Sequence, residues 1–392
     1  MSRLDPYVDR LLRLGGADAH PASAIVGVRT AGGSDVAVGG WAAAASETAP
    51  AVPMRRDLLL DLASVTKVAA TTVLVMRLVD DGRIALDEKA HRLLPAFTGA
   101  GKDDVTLEQL LTHTAGLQSW WPLYLETTDR DDALLRAQQL PLAAAPGTAW
   151  SYSDLGLILA GTIVERVTGL GLREAYRALV AEPLGLAGTY GPVPQDSAVT
   201  SADSDAYEYG MVATGEPYPV PFRVDGFAGW RDRPLRGEVN DGNAAHALGG
   251  VSGHAGLFST VDDLLALGAA LRDGAFVSEP VLRRFARPSP LNPGQAVGFR
   301  RSSLRSGVDT VTVLGHSGFT GTWFGFGLEA DVVVAAAAMR LSGVVGPLPA
   351  RGDRPRIPAL VTGDAIQSVL LDAAADALAA AASPVTTNAE ER

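Results

Sequence analysis

Apolar and polar positions change period along the 392 residues. Near the start, Leu4, Tyr7, Val8, Leu11 and Leu12 are spaced for one face of a helix. Residues 25–28 and 36–38 are short apolar runs on either side of Gly32-Gly33-Ser34-Asp35, which predicts a hairpin over residues 23–40 with its turn at 32–35. From about 61 to 285 the pattern is mainly helical. Thr106-Leu107-Glu108-Gln109 reads as a capping box, Asp154 precedes a helix ending near Gly169, and Thr260-Val261-Asp262-Asp263 opens another ending near Gly274. Residues 191–247 are rich in Gly, Pro, Asp and Tyr and lack periodicity, as expected of a functional rim or a flexible segment. After about 295 the pattern turns to strands, in AVGFRR, DTVTVLGH, GTWFGFGLE and DVVVAAAAMR, and GDAIQSVLLDAAADALAAAA predicts a closing helix.

Strands at both ends and helices between them predict an α/β (α+β) fold. One sheet is closed by both ends of the chain and carries a helical insertion. The expected division is one catalytic module over 1–392, with the sheet from 1–60 and 286–383, the helical subdomain from 61–285, and a tail at 384–392.

Composition narrows the task. The net charge is −11, with no basic patch or tail, which argues against nucleic acid as a partner. There is no cysteine, so disulfides, thiolate zinc sites and Cys nucleophiles are excluded. Charges interrupt the first sixteen residues, so a secretory leader is not expected there. ALAAAAS near the end is too short to span a bilayer, and a cytoplasmic, membrane-free protein is the expectation.

Within DLASVTKVAATTVLVM, residues 61–76, one ammonium sits in an apolar helix pattern: Lys67, one of only three lysines beside Lys89 and Lys102. A buried lysine can lose its proton, whereas arginine stays charged. Ser64 lies three residues earlier, on the same helical face. Asp61 or a neighbour is placed to cap that helix and Gly82 to end it, which puts the Ser64 N–H in an unpaired first turn. Ser-x-x-Lys is a nucleophile with a base one turn away. A lysine snorkelling to the surface is the plainer alternative.

Other clusters have plain readings too. Tyr152 reads as a core aromatic and Asp154 as an N-cap; His316, Ser317, Gly318 and Gly321 read as a turn that also lets a ligand approach the backbone. Asn240, Asp241, Asn243, His246 and His254 crowd among glycines, but no metal-binding His spacing occurs, and a hydrogen-bonded loop is the better reading. No G-x-S-x-G elbow and no phosphate loop is present, and Arg351-Gly352-Asp353 reads as a turn.

Taken in order, S-V-T-K at 64–67, Y-S-D at 152–154 and H-S-G at 316–318 resemble the serine β-lactamase and penicillin-binding-protein superfamily. The similarity is to its class C β-lactamase-like branch, which includes family VIII carboxylesterases and small serine amidases and peptidases. LTHTAGL, PGTAWSYSDLG and GGVSGHAGLFST resemble that branch as well. The resemblance implies a β-lactamase/transpeptidase-like α/β (α+β) fold, an antiparallel sheet flanked by helices plus a mostly helical subdomain, with the site between them. It implies Ser64 as nucleophile, Lys67 or Tyr152 as base, and Tyr152 as proton donor to the leaving group. His316 would orient Tyr152 or, protonated, bind a substrate carboxylate. Ser317, Gly318 and Phe319 would contact substrate, with the Ser64 and Phe319 N–H groups as oxyanion hole. The implied substrate is a small ester, amide or muropeptide, with no cofactor and no metal; the alternatives are a weak β-lactamase or a β-lactam or peptide sensor. Two departures stand out: Asp154 where relatives usually carry Asn, and His316 where many carry Lys.

Overall fold

The computed structural model describes residues 2–47, 49–306, 309–350 and 352–382. The tail at 384–392 and Arg351 lie outside them. The strands in chain order are β1 (Ser23–Thr30), β2 (Gly33–Ala43), β3 (Val52–Pro53), β4 (Leu60–Asp61), β5 (Thr189–Tyr190) and β6 (Thr200–Ala202). They continue as β7 (Leu235–Arg236), β8 (Leu257–Ser259), β9 (Arg300–Ser306), β10 (Asp309–Ser317), β11 (Thr322–Gly327) and β12 (Val332–Ala338).

The described residues form a seven-stranded sheet of order β3-β2-β1-β12-β11-β10-β9. The N-terminal β1 pairs antiparallel with the C-terminal β12, so both ends of the chain close one sheet. The hairpin turn is tighter than expected. Thr30 pairs with Gly33, which leaves Ala31-Gly32 as a two-residue turn, while Ser34 and Asp35 pair with Arg29 and Val28. Gly33 takes φ 111°, a conformation glycine adopts without steric cost at such turns. In AVGFRR only the two arginines are in a strand, because β9 starts at Arg300.

β12 shows why its sequence is apolar at every position. Val332, Val334, Ala336 and Ala338 pack in one core, and Val333, Ala335 and Ala337 in the other. Successive side chains point to opposite faces, and helices cover both. The N-terminal helix Asp5–Leu12 and the C-terminal helix Gly363–Ala382 cover one face. The N-terminal helix buries Leu4, Val8 and Leu11 there, as its spacing predicts. Helix Val261–Arg272, capped by Thr260, covers the other face. By length and composition Gly363–Ala382 is apolar enough to cross a membrane, contrary to expectation. Here its Ile366, Val369, Leu370, Ala373 and Ala374 are buried against the sheet.

The intervening region is helical with short strands that its pattern does not announce: β4-β8-β5 form one small sheet and β6-β7 another. The capping box at Thr106 and Gln109 is present. β4 and β8 bring the chain before Ser64 beside the GGVSGHAGLFST segment.

Candidate active site

Ser64 is presented by an unusual backbone. Asp61, at the end of β4, accepts the Ala63 N–H at 2.9 Å. Ala63 then takes φ 45°, the left-handed region that a side chain seldom adopts. Residues Ala63–Val65 form a 3₁₀ turn and Lys67–Thr72 a π-helical turn, before the α-helix Val73–Asp80. The expected single helix is therefore three geometries in series, and such departures concentrate at functional sites. Ser64 and Lys67 still meet: Lys67 Nζ donates to Ser64 Oγ at 2.7 Å and to the His254 carbonyl at 3.1 Å.

The third neighbour of Nζ is the Asp154 carboxylate, at 2.7 Å. Asp154 is not the helix cap. Ser153 takes that position, accepting the Gly156 N–H, so Asp154 falls in the first turn of Asp154–Thr168 with its side chain free to meet Lys67. Lys67 is 1% exposed. Burial, the largest single influence, pulls its pKa down, but the charge and hydrogen bond of Asp154 together with Tyr152 outweigh it and hold the amine above the ordinary lysine value. The resting amine is an ammonium.

Tyr152 donates from its hydroxyl to Ser64 Oγ at 3.0 Å. Burial raises its pKa, opposed by Lys67, so the phenol keeps its proton. Its position depends on His113, whose ring lies 4.7 Å away and whose Nδ1 accepts the Ser153 N–H at 3.1 Å. Burial, with Lys67 and Arg300 nearby, holds His113 at about 3, so it stays neutral. His113 lies in LTHTAGL, noted for resemblance alone; nothing local in the sequence ties it to Tyr152.

His316 ends in the same wall, its ring 5.8 Å from that of Tyr152. Its Nδ1 is 2.7 Å from the Ser317 carbonyl, which places the proton on Nδ1 and leaves Nε2 as an acceptor. Burial first, then Lys67 and Arg300, holds its pKa well below the ordinary value. The cationic His316 weighed from sequence is thus disfavoured, because the ring is buried and the Lys67 ammonium and Arg300 guanidinium already stand near it. Ser317, Gly318 and Phe319 line the cavity with Ser64. The close approach at Gly318 is to the protein itself: a Cβ there would stand 2.0 Å from Thr322 Oγ1 and 2.6 Å from the Leu62 carbonyl. Thr320 and Thr322 donate to the Asp61 and Leu62 carbonyls at 2.9 and 2.8 Å, tying this turn to the segment before Ser64. Among the described residues the Ser64 and Phe319 N–H groups find no backbone carbonyl outside regular secondary structure.

The cavity has a volume of about 300 Å³. Tyr207, Glu208, Met211, Tyr218 and Asp241, all from 191–247, supply its outer wall. That segment is anchored by a buried pair: Arg231 Nη2 lies 2.7 Å from Asp205 Oδ1, and His246 Nε2 lies 3.0 Å from Asp205 Oδ2. Burial, with Asp241 and Asp205 beside it, pushes the Glu208 carboxyl up to about 8. Burial also opposes ionisation of Asp241, yet His254 at 2.8 Å holds that carboxyl down at about 2. Asn243 bonds the Leu123 N–H and the Trp121 carbonyl, so the 240–254 cluster is a bonded loop. Among the described residues no group of three or more His, Cys, Asp or Glu is arranged to hold a metal.

A sheet with helices on both faces, and a Ser-x-x-Lys and tyrosine cluster at its junction with a helical body, define the β-lactamase/transpeptidase fold class. The chain belongs to the Beta-lactamase family, whose model matches residues 8–352. The N-acetylmuramyl-L-alanine amidase of Bacillus subtilis (strain 168) is 31% identical over 300 residues, 69% of this chain and 65% of that protein. A putative D-alanyl-D-alanine carboxypeptidase of Escherichia coli (strain K12) is 29% identical over 67% of this chain and 65% of its own length. The chain thus matches just under two thirds of these relatives, both named as hydrolases. Among solved structures, the D-amino acid amidase of Ochrobactrum anthropi SV3 superposes with a TM-score of 0.67 at 20% identity, covering 95% of this chain and 97% of that one. The hydrolase EstCE1 gives 0.65 at 21% identity over 94% and 97%.

Proposed function

We propose that this protein is a serine hydrolase that cleaves a small amide or ester through an acyl-enzyme on Ser64. The observation that carries the reading is the convergence of the Lys67 ammonium and the Tyr152 hydroxyl on Ser64 Oγ. After the Lys67 ammonium releases one proton to solvent water, its neutral amine takes the Ser64 proton as Oγ attacks the carbonyl. The Ser64 and Phe319 N–H groups stabilise the developing oxyanion. Tyr152, a protonated phenol, gives its proton to the leaving group and is reprotonated by Lys67; water then releases the acyl group. Amide substrates of the cell-wall-fragment kind are favoured over simple esters, because relatives 31% and 29% identical to this chain are named an amidase and a putative carboxypeptidase.

The test is turnover of p-nitrophenyl acetate and of an N-acetylmuramyl-peptide by wild type, Ser64→Ala and Lys67→Ala. Both variants are expected to lose roughly 10⁴-fold or more in kcat. Turnover surviving Ser64→Ala would overturn the mechanism. Stoichiometric acylation of wild type without release would point instead to a sensor.

A further inference from the structure

The two partners of Ser64 are held in different ways. On one side His113 and Arg300 pack against the Tyr152 ring, at 4.7 and 5.2 Å. On the other, Lys67 Nζ meets Ser64 Oγ at 2.7 Å, Asp154 Oδ1 at 2.7 Å and the His254 carbonyl at 3.1 Å. That carbonyl belongs to a residue with no part in the chemistry described so far. His254 is 1% exposed and does not itself line the catalytic cavity. Both of its ring nitrogens are engaged: Nδ1 lies 2.8 Å from Ser252 Oγ, and Nε2 lies 2.8 Å from Asp241 Oδ1 in the cavity wall. Asp241 Oδ1 also accepts the Ala244 N–H at 2.8 Å. Neighbouring peptides are tied to the Ser64 segment. Thr71 donates to the Gly253 carbonyl at 2.7 Å, and the Leu257 N–H donates to Thr66 Oγ1 at 3.1 Å. The peptide that carries the His254 carbonyl lies between those two ties, and the pinned ring anchors it.

We propose that Asp241 and His254 are positioning residues for Lys67: by fixing the His254 ring they aim the His254 carbonyl, and through it the amine, at Ser64. This rests on the acyl-enzyme reading above, in which Lys67 is the base. An ammonium carries three N–H groups, and three acceptors surround this one. A neutral amine keeps two N–H groups, and its lone pair takes the third direction. With Asp154 and the His254 carbonyl holding the two N–H groups, the lone pair is left facing Ser64 Oγ. Without the carbonyl the amine turns about its terminal bond, and the lone pair leaves the serine. Asp241 suits the task because its carboxyl is held down at about 2, so at neutral pH Nε2 donates to a charged acceptor. A histidine that only filled the core would be satisfied in the same way, but its loss would act on stability and not on the lone pair.

The experiment measures the rate at which a fluorophosphonate labels Ser64, which reads activation of the nucleophile apart from deacylation. His254→Leu is expected to slow labelling by about 10²-fold. His254→Gln, whose amide donates to Asp241 from nearly the same place, is expected to stay within about tenfold of wild type. Asp241→Ala leaves the His254 side chain in place and is expected to lose about as much as His254→Leu, and Asp241→Asn, whose amide oxygen still accepts from Nε2, to recover most of it. On p-nitrophenyl acetate the His254→Leu loss is expected in kcat with KM little altered, because His254 stands outside the cavity. Equal labelling by the Leu and Gln variants would overturn the proposal, as would labelling lost in Lys67→Ala but kept in His254→Leu. Equal labelling of Lys67→Ala and wild type would remove Lys67 as the base and the proposal with it. The chain has only three lysines, so the Nζ resonance of Lys67 in protein grown on isotope-labelled lysine is assigned by its loss in Lys67→Ala. That resonance is expected to shift, and to exchange with water faster, in His254→Leu and Asp241→Ala but not in His254→Gln; an unchanged resonance overturns the proposal. Turnover surviving Ser64→Ala would remove the acyl-enzyme reading and leave this spectroscopic comparison standing.

Discussion

Lys67 Nζ and Asp154 Oδ1 stand 2.7 Å apart, and the pair sets the protonation of the site. An asparagine at 154 would bond the amine without a charge. Asp154→Asn therefore leaves burial as the dominant influence on Lys67, and burial favours the neutral amine. The expected outcome is a kcat/KM–pH profile displaced toward lower pH by one unit or more, with turnover retained. Loss of turnover at every pH would show that the Asp154 carboxylate is itself required as proton acceptor.

In the proposed mechanism His113 would act on the reaction through Tyr152. His113→Ala removes the acceptor of the Ser153 N–H and the ring packed 4.7 Å from the tyrosine. A phenol misplaced by about an ångström costs on the order of 10²-fold in rate. The expected change falls on kcat, with KM little altered, and steady-state kinetics on one ester would measure it. An unchanged kcat would mean that Tyr152 is held by its other neighbours.

Asp61 is expected to set an acid limit on the proposed activity. Its carboxylate accepts the Ala63 N–H on one oxygen and the Asn240 N–H, at 2.7 Å, on the other. Burial raises its pKa to about 6 despite these bonds. Because the folded-state value is raised, folding binds this proton more tightly. Asp61's contribution to stability is therefore greatest below the ordinary carboxyl range and declines as pH rises through 6. Activity runs the other way, because protonation puts a hydrogen on an oxygen that faces an N–H. The kcat–pH profile is expected to fall below pH 6, and Asp61→Asn to lower kcat and abolish that limb.

Arg231 secures the rim. Its side chain and that of Asp205 are 9% and 3% exposed. Arg231→Ala leaves a buried carboxylate with only His246 and the backbone N–H of residue 231 beside it, at an expected cost of about 3–5 kcal/mol. Urea denaturation would measure this. A cost below about 1 kcal/mol would show that water replaces the guanidinium.

The local half of this protein was legible in its sequence. Periodicity marked the strand-rich ends, the helical middle and the N- and C-terminal helices, because a chain that buries one face repeats that face at the helix or strand period. Ser64 and Lys67 are three residues apart, so even a 3₁₀ and π-helical turn keeps them in contact. Tyr152 and His316 came from motif order rather than from any local pattern. The structure decided what depends on distant segments. Ser153 caps its helix, and this frees Asp154 to cross to Lys67; a sequence offers both residues as caps and does not choose between them. His113 behind Tyr152, Arg300 over it and the strained Ala63 before Ser64 follow from three-dimensional packing, in which strand, turn and helix meet without sharing a sequence period. The protonation states belong to that level too. A lysine beside an aspartate stays charged and a buried histidine beside two cations stays neutral, because fields inside a protein act across space, whatever the separation along the chain.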